Sequence, residues 1–302
     1  MELDQLKLLL NEFGENVRFE YDLKKKNWFN IGGKVKVFYK ANNLNELVIF
    51  LKKLKNKEKI FILGAGSNTL ISDNLINGVV IKLGKNFNNI SLLGEDIIIA
   101  GSSVLDKSLS EFAMNNSLSG FEFLSCIPGT IGGGIRMNAG CFGNEFKDIL
   151  LSVQAIDKTG NVKTILSKDI KFEYRNNNLP DDLIFLSASF KGIRGNSAKI
   201  NDEMNNLKIE KEKNQPTKIK TSGSTFKNPS LQTKKKVWEL IKESIPLDTN
   251  FGDAHISDKH CNFFVNKGNA TFEDMIKLIN FVTENVFKKT GIKLEKEIKI
   301  LE

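Results

Sequence analysis

The sequence predicts an α+β protein. Three observations carry this: a Gly-rich, β-rich first two-thirds, a change to charged helical segments near 195–215, and short apolar runs alternating with amphipathic ones throughout. Leu44, Leu47, Val48, Leu51 and Leu54 recur at helical spacing, so 44–55 reads as an amphipathic helix. Lys59–Leu63 reads as a buried strand, followed by β-type runs at Val79–Leu83 and Ile97–Ala100. Val104–Asn115 places Leu105, Leu109, Phe112 and Ala113 on one helical face. Ser152–Asp157 and Val162–Leu166 form a hairpin around Lys158-Thr159-Gly160-Asn161, and Leu183–Phe190 is a further strand. Helices are expected around 199–212, 236–244 and 271–288, with a half-exposed strand at about 293–300.

Bulk properties exclude several classes. The 302 residues imply two or three packed units. No apolar stretch approaches the ~20 residues of a membrane helix. The opening Met1-Glu2-Leu3-Asp4-Gln5 lacks a secretory layout. Cys126, Cys141 and Cys261 are an odd, unpaired set, which points to a reducing compartment, the cytoplasm. The net charge of +8 favours anionic partners, yet the lysines are dispersed rather than gathered into a nucleic-acid footprint. Only four of 44 basic residues are arginines, Arg18, Arg136, Arg175 and Arg194. Arginine is retained where a planar fork is needed, which draws attention to Arg136 and Arg175. His255 and His260 have no ligand partners at metal spacing, so no metal site is expected.

Gly64-Ala65-Gly66-Ser67-Asn68 follows a strand directly. Such a loop lets backbone N–H groups approach phosphate, or is simply a tight turn. Position six is Thr69 and no helix follows, so this is not a Rossmann fingerprint. The segment 126–143 is too rich in glycine for a helix or strand interior. Its interleaved Ile131, Ile135, Met137 and Ala139 suit a backbone wrapped on a large planar ligand, and a mobile loop is the alternative.

In order and spacing, these pieces resemble the UDP-N-acetylenolpyruvoylglucosamine reductase family. Asn27-Trp28-Phe29-Asn30-Ile31-Gly32-Gly33 is similar to its opening element, and Gly64–Asn68 to its pyrophosphate loop. Ile127–Gly133 continuing to Met137–Gly140 is similar to its flavin signature. Tyr174-Arg175, Gly223-Ser224, Lys227-Asn228-Pro229, Ser257–Asn266 and Leu294–Ile300 complete a match over about 27–300.

The resemblance implies a vanillyl-alcohol-oxidase-like FAD-binding fold of two subdomains, 1–84 and 85–205, plus a C-terminal α+β substrate domain, 206–302. It implies bound FAD, NADPH as co-substrate and a UDP-sugar substrate, in a monomer or weak homo-oligomer that binds neither nucleic acid nor membrane. The implied FAD contacts are Gly64, Ala65, Gly66, Ser67, Asn68, Pro128, Gly129, Thr130, Gly132, Gly133, Arg136, Met137, Asn138, Ala139 and Gly140. Ser224 is the implied proton donor, Arg175 and Glu297 its catalytic partners, and Lys227, Asn228 and His260 the substrate contacts. The terminal strand is expected to carry Glu297 to the site. The chain departs from the family pattern at Cys126, Gly134, Asn177, Lys211 and Lys296. An FAD-dependent oxidase on the same fold, or a basic phosphate- or nucleic-acid-binding protein, are the competing readings.

Overall fold

The computed structural model describes residues 1–302 in full. The chain forms two compact units, and neither is a continuous stretch. The first comprises Met1–Phe19, Lys36–Ala65 and Gly78–Lys211; the second comprises Glu20–Val35, Gly66–Asn77 and Glu212–Glu302.

The first unit holds two apolar cores. One gathers helix α1 (Leu3–Leu10), helix α2 (Leu44–Leu54) and the strands Lys34–Ala41 and Ile76–Leu83. Tyr39 stacks on Phe50 at 3.8 Å and Phe13 meets both rings edge-on, an arrangement worth more than area burial alone. Asn43 starts α2 by accepting the Glu46 N–H through its side chain, as an N-cap should.

The other core lies against a five-stranded antiparallel sheet in the order Val162–Leu166, Leu150–Ile156, Ile184–Lys191, Ile97–Gly101, Ile90–Leu93. Strand alternation serves both cores. Val153, Ala155 and Phe185 enter this second core, while Ile156, Ile184 and Leu186 enter the first. The hairpin after Ile156 closes on Asp157, whose carboxylate accepts N–H groups from Thr159 and Asn161 and the Thr159 hydroxyl. Those bonds, the Thr159 hydroxyl foremost, hold the Asp157 carboxyl below its usual range.

The segment 126–143 departs from the sequence expectation. Helix α3 (Asp106–Asn115) is followed by helix α4, Ile131–Met137, which runs through all three consecutive glycines. Tertiary packing overrides propensity here. A Cβ on Gly134 would stand 2.2 Å from the Phe146 ring, at the start of helix α5 (Phe146–Ile149), and one on Gly132 would stand 3.1 Å from Ser102. The first helical N–H groups are satisfied from outside: Ile131 donates to the Val104 carbonyl and Gly132 to that of Ser102, each at 2.9 Å. Asn138, at φ +42°, ends the helix in the left-handed conformation.

The second unit packs helices α7 (Val237–Ser244) and α8 (Phe272–Thr290) on a sheet of Asn250–Phe251, Ala254–Ile256 and Phe264–Asn266. Helix α6 (Ser197–Asn214) spans the chain position where the units divide. Thr271 and Asp274 form a capping box on α8, and Gly291 closes its other end. Phe29, Ile31 and Leu70 are fully buried in this core, although they lie far upstream of the rest of it. For this reason the observed units differ from a contiguous division at 84/85 and 205/206: the segments 20–35 and 66–77 leave the N-terminal part to complete the C-terminal core. The terminal strand is also shorter than 293–300. Only Lys299–Leu301 is a strand, pairing in parallel with Thr69–Ile71, while Lys296 makes an isolated bridge to Phe226.

Candidate active site

In the first unit, the start of one glycine loop meets the other glycine-bearing segment. A Cβ on Gly64 would lie 2.5 Å from Thr130 Oγ1, so backbone and side chain touch only because Gly64 has none. Lys82 donates to the Gly64 carbonyl at 2.5 Å. Gly129, preceded by Pro128, packs on Asp106, which donates its N–H to the Gly129 carbonyl at 3.2 Å. Asp106 is fully buried with neither carboxyl oxygen partnered, and that burial pushes its acid well above the usual carboxylate range. The Ser102 hydroxyl beside Gly132 is likewise buried without a partner.

The two watched arginines have different surroundings. Arg136 donates to the carbonyls of Leu179, Pro180 and Leu183 and lies 4.4 Å over the Phe185 ring. Its guanidinium clamps the 179–183 turn, a structural use that the sequence reading as a cofactor contact did not contain. Arg175 stands at φ +58°, a left-handed conformation that costs an L-residue roughly 1–2 kcal/mol. It donates to the Gly140 carbonyl at 3.0 Å, lies 3.9 Å from Glu145 and rests over Tyr174. Asn138, fully buried, bonds Glu145 and the Glu173 carbonyl and accepts the Lys147 N–H, so it braces the turn carrying Arg175. Met137 is buried, Gly133 is exposed, and Ala139 and Gly140 are partly exposed.

In the second unit, the residues 224–227 thread between two other segments. Ser224 bridges Phe263 antiparallel, and Thr225 donates to the Asn262 carbonyl at 2.7 Å. On the opposite side Glu297 donates its N–H to the Thr225 carbonyl at 2.8 Å, and Lys227 to the Glu295 carbonyl at 2.8 Å. Ser224 and Glu297 therefore stand on adjoining backbone, 73 positions apart in sequence (297 minus 224). Asn68 joins them: its side chain donates to the Glu297 carbonyl at 3.0 Å, and its own carbonyl accepts from Lys299. Gly66, at φ +68°, passes so close to Lys26 and Asn27 that a Cβ would stand 2.2 Å from the Lys26 carbonyl oxygen. This close approach pins the loop that carries Ser67 and Asn68.

Lys227 pairs with Glu295 at 3.5 Å, and the Asn228 side chain accepts the Val237 N–H that opens α7. His260 accepts the Asn262 N–H on Nδ1 and packs edge-on to Phe263. Burial lowers its pKa, which favours the neutral ring.

Sequence reasoning did not single out Asn262, Glu145, Asp106 or Ser102. Asn262 is buried and ties both backbone groups of Phe226, which sets the path of the Ser224 segment. Asn262 lies inside a motif noted as a whole, whereas Glu145 and Ser102 carry no local signal. Asp106 lies inside the predicted helix 104–115 and carried no signal of its own.

The comparisons with known proteins bear on this geometry. Residues 35–166 match an FAD binding domain, and residues 215–301 match the C-terminal domain of UDP-N-acetylenolpyruvoylglucosamine reductase. The curated UDP-N-acetylenolpyruvoylglucosamine reductase of Pelagibacter ubique is 65% identical over 301 residues, spanning all of both chains. The chain belongs to the UDP-N-acetylenolpyruvoylglucosamine reductase family. The reductase of Rickettsia bellii is 48% identical over 93% of this chain and 92% of its own. The crystal structure of the Thermus caldophilus reductase superposes with a TM-score of 0.82 at 29% identity, covering 95% of this chain and all of that one. The α+β, vanillyl-alcohol-oxidase-like FAD-binding fold follows from these matches. The residues present fit the flavin that a member of this reductase family needs: buried polar groups at 102 and 106 beside the glycine segment have no protein partners. No helix is long and apolar enough to cross a membrane.

Proposed function

We infer that this chain is an NADPH-dependent UDP-N-acetylmuramate dehydrogenase, reducing the enolpyruvyl ether of UDP-N-acetylglucosamine to the lactyl ether in peptidoglycan precursor synthesis. Full-length identity of 65% to a reductase of that name supports the reaction. FAD, once reduced by NADPH, supplies the hydride for the vinyl carbon.

The chain's own residues handle charge and proton. Negative charge develops on the substrate's carboxylate and adjacent carbon, and Arg175 offers a planar fork to that carboxylate. Ser224 gives its hydroxyl proton to the carbon. Glu297 stands on backbone adjoining the serine segment, and as the acid, or bonded to a cation, it polarises that hydroxyl without repelling the substrate. Lys227, Asn228 and the neutral His260 bind the diphosphate and sugar. Gly64–Asn68 and the 128–140 segment, Arg136 included, hold the flavin, while the Arg136 guanidinium also clamps the 179–183 turn. The protein works in the cytoplasm.

The observation that carries the assignment of roles is the Ser224 segment held between Asn262 and Glu297. The Ser224→Ala variant tests it. NADPH should still bleach the bound flavin under anaerobic conditions, while recolouring by the enolpyruvyl substrate slows by about 10²–10⁴-fold. Recolouring at the wild-type rate would move the proton donor elsewhere.

A further inference from the structure

Cys126 ends the 3₁₀ turn Glu122–Cys126, and Cys141 ends the short strand Gly140–Cys141, both in the first unit. Neither is in a disulfide. Each side chain is the largest influence on the other's ionisation. Cys141 Sγ also donates to the Phe123 carbonyl at 3.2 Å, which turns it toward the Glu122–Cys126 turn. The Ser125 hydroxyl lies 3.7 Å from Cys126 Sγ. From α6, Lys211 reaches the Cys126 carbonyl at 2.6 Å.

These surroundings divide the labour between the sulfurs. The Cys141 thiol above all, then Ser125, Lys211 and Lys208, lower the Cys126 pKa against the opposing effect of burial. The Cys126 side chain and then burial raise that of Cys141. The first proton to leave gives a thiolate on Cys126 with a neutral thiol beside it. Cys126 retains 6% exposure and Cys141 is partly exposed, so a reagent as small as a peroxide has access. Cys261, in the other unit, is buried with its pKa raised by that burial and has no thiol neighbour among its causes.

We propose that Cys126 and Cys141 form a peroxide-reactive dithiol site, in which Cys126 attacks and Cys141 resolves. The Cys126 thiolate bonds to one peroxide oxygen as the O–O bond breaks, giving a sulfenic acid and hydroxide, which takes up the proton Cys126 released. Cys141 sulfur then displaces the sulfenic oxygen as water, its own proton leaving with it. Two thiols are oxidised to one disulfide, and one hydrogen peroxide is reduced to two waters. The new bond closes a covalent loop across 127–140, the segment that carries α4 and its glycines.

The test treats the FAD-loaded protein with submillimolar hydrogen peroxide, then labels free thiols and maps peptides by mass spectrometry. Labelled cysteines should fall from three to one, leaving Cys261, with an intramolecular Cys126–Cys141 crosslink that dithiothreitol reverses. The Cys141→Ser variant should stop at a sulfenic acid on Cys126, captured by dimedone, and Cys126→Ser should leave Cys141 reduced. Lys211→Gln should slow the reaction by about 3-fold or more, because a cation no longer favours the thiolate. Retention of all three labels in the wild-type protein, oxidation first at Cys261, or a crosslink joining two chains would each overturn the proposal.

Discussion

Arg136 and Arg175 lie in one unit and share a chemistry, yet the structure gives them different surroundings. Arg136 sits near the end of α4 and gives its donors to three carbonyls of one turn, with an aromatic ring beneath. Arg175 sits on a strained turn, where it bonds the Gly140 carbonyl, approaches Glu145 and rests over Tyr174. A guanidinium has five N–H donors in a fixed fork. Where the protein's own carbonyls occupy that fork, as at Arg136, the arginine holds a turn together; Arg175 instead stands on a strained backbone, and its proposed role is to meet a ligand. Scarcity of arginine in the sequence marked both residues and could not separate these uses.

The contrast can be broken experimentally. Arg175→Lys keeps the charge but loses the fork, and should lower kcat/KM for the enolpyruvyl substrate by about 10²–10³-fold, or roughly 3–4 kcal/mol. Its urea midpoint should stay near that of the wild type; a large loss of stability would make Arg175 scaffold as well. Arg136→Met retains a stem over Phe185 while removing three charge-assisted bonds, and should cost about 2–3 kcal/mol in urea unfolding. A variant that folds normally but no longer retains FAD would instead give the cofactor contact the larger part. Asn138→Gly tests the joint between the two regions, since Asn138 caps the helix of Arg136 and braces the turn of Arg175. Glycine accepts the left-handed backbone, so the loss is confined to side-chain bonds: about 1–2 kcal/mol of stability, with a smaller fall in turnover.

Local features were legible in the sequence. The 152–166 hairpin announces itself through its turn residues, and α2 through its leucine spacing, because both are settled by neighbours in sequence. Helix α4 was not legible. Glycine propensity argues against it, and its justification is the Phe146 ring occupying the place of a Gly134 side chain. The extent of the terminal strand was misread because its pairing partner, Thr69–Ile71, is remote. Phe29 and Ile31 declare themselves apolar without saying which core receives them. The site residues were found through resemblance to a family, while the path that brings Thr225 against Glu297 depends on Asn262, whose side chain gave no pattern to read.

The late pairing also orders events on the ribosome. Asn68 waits for a backbone partner 229 residues downstream, and Phe29, Ile31 and Leu70 wait for a core built mostly from the C-terminal third. At about 5–20 residues per second, translation leaves those apolar side chains uncovered for roughly 10–50 s. The nascent chain therefore carries an exposed, chaperone-attractive stretch until the C-terminal third that supplies most of that core has been made.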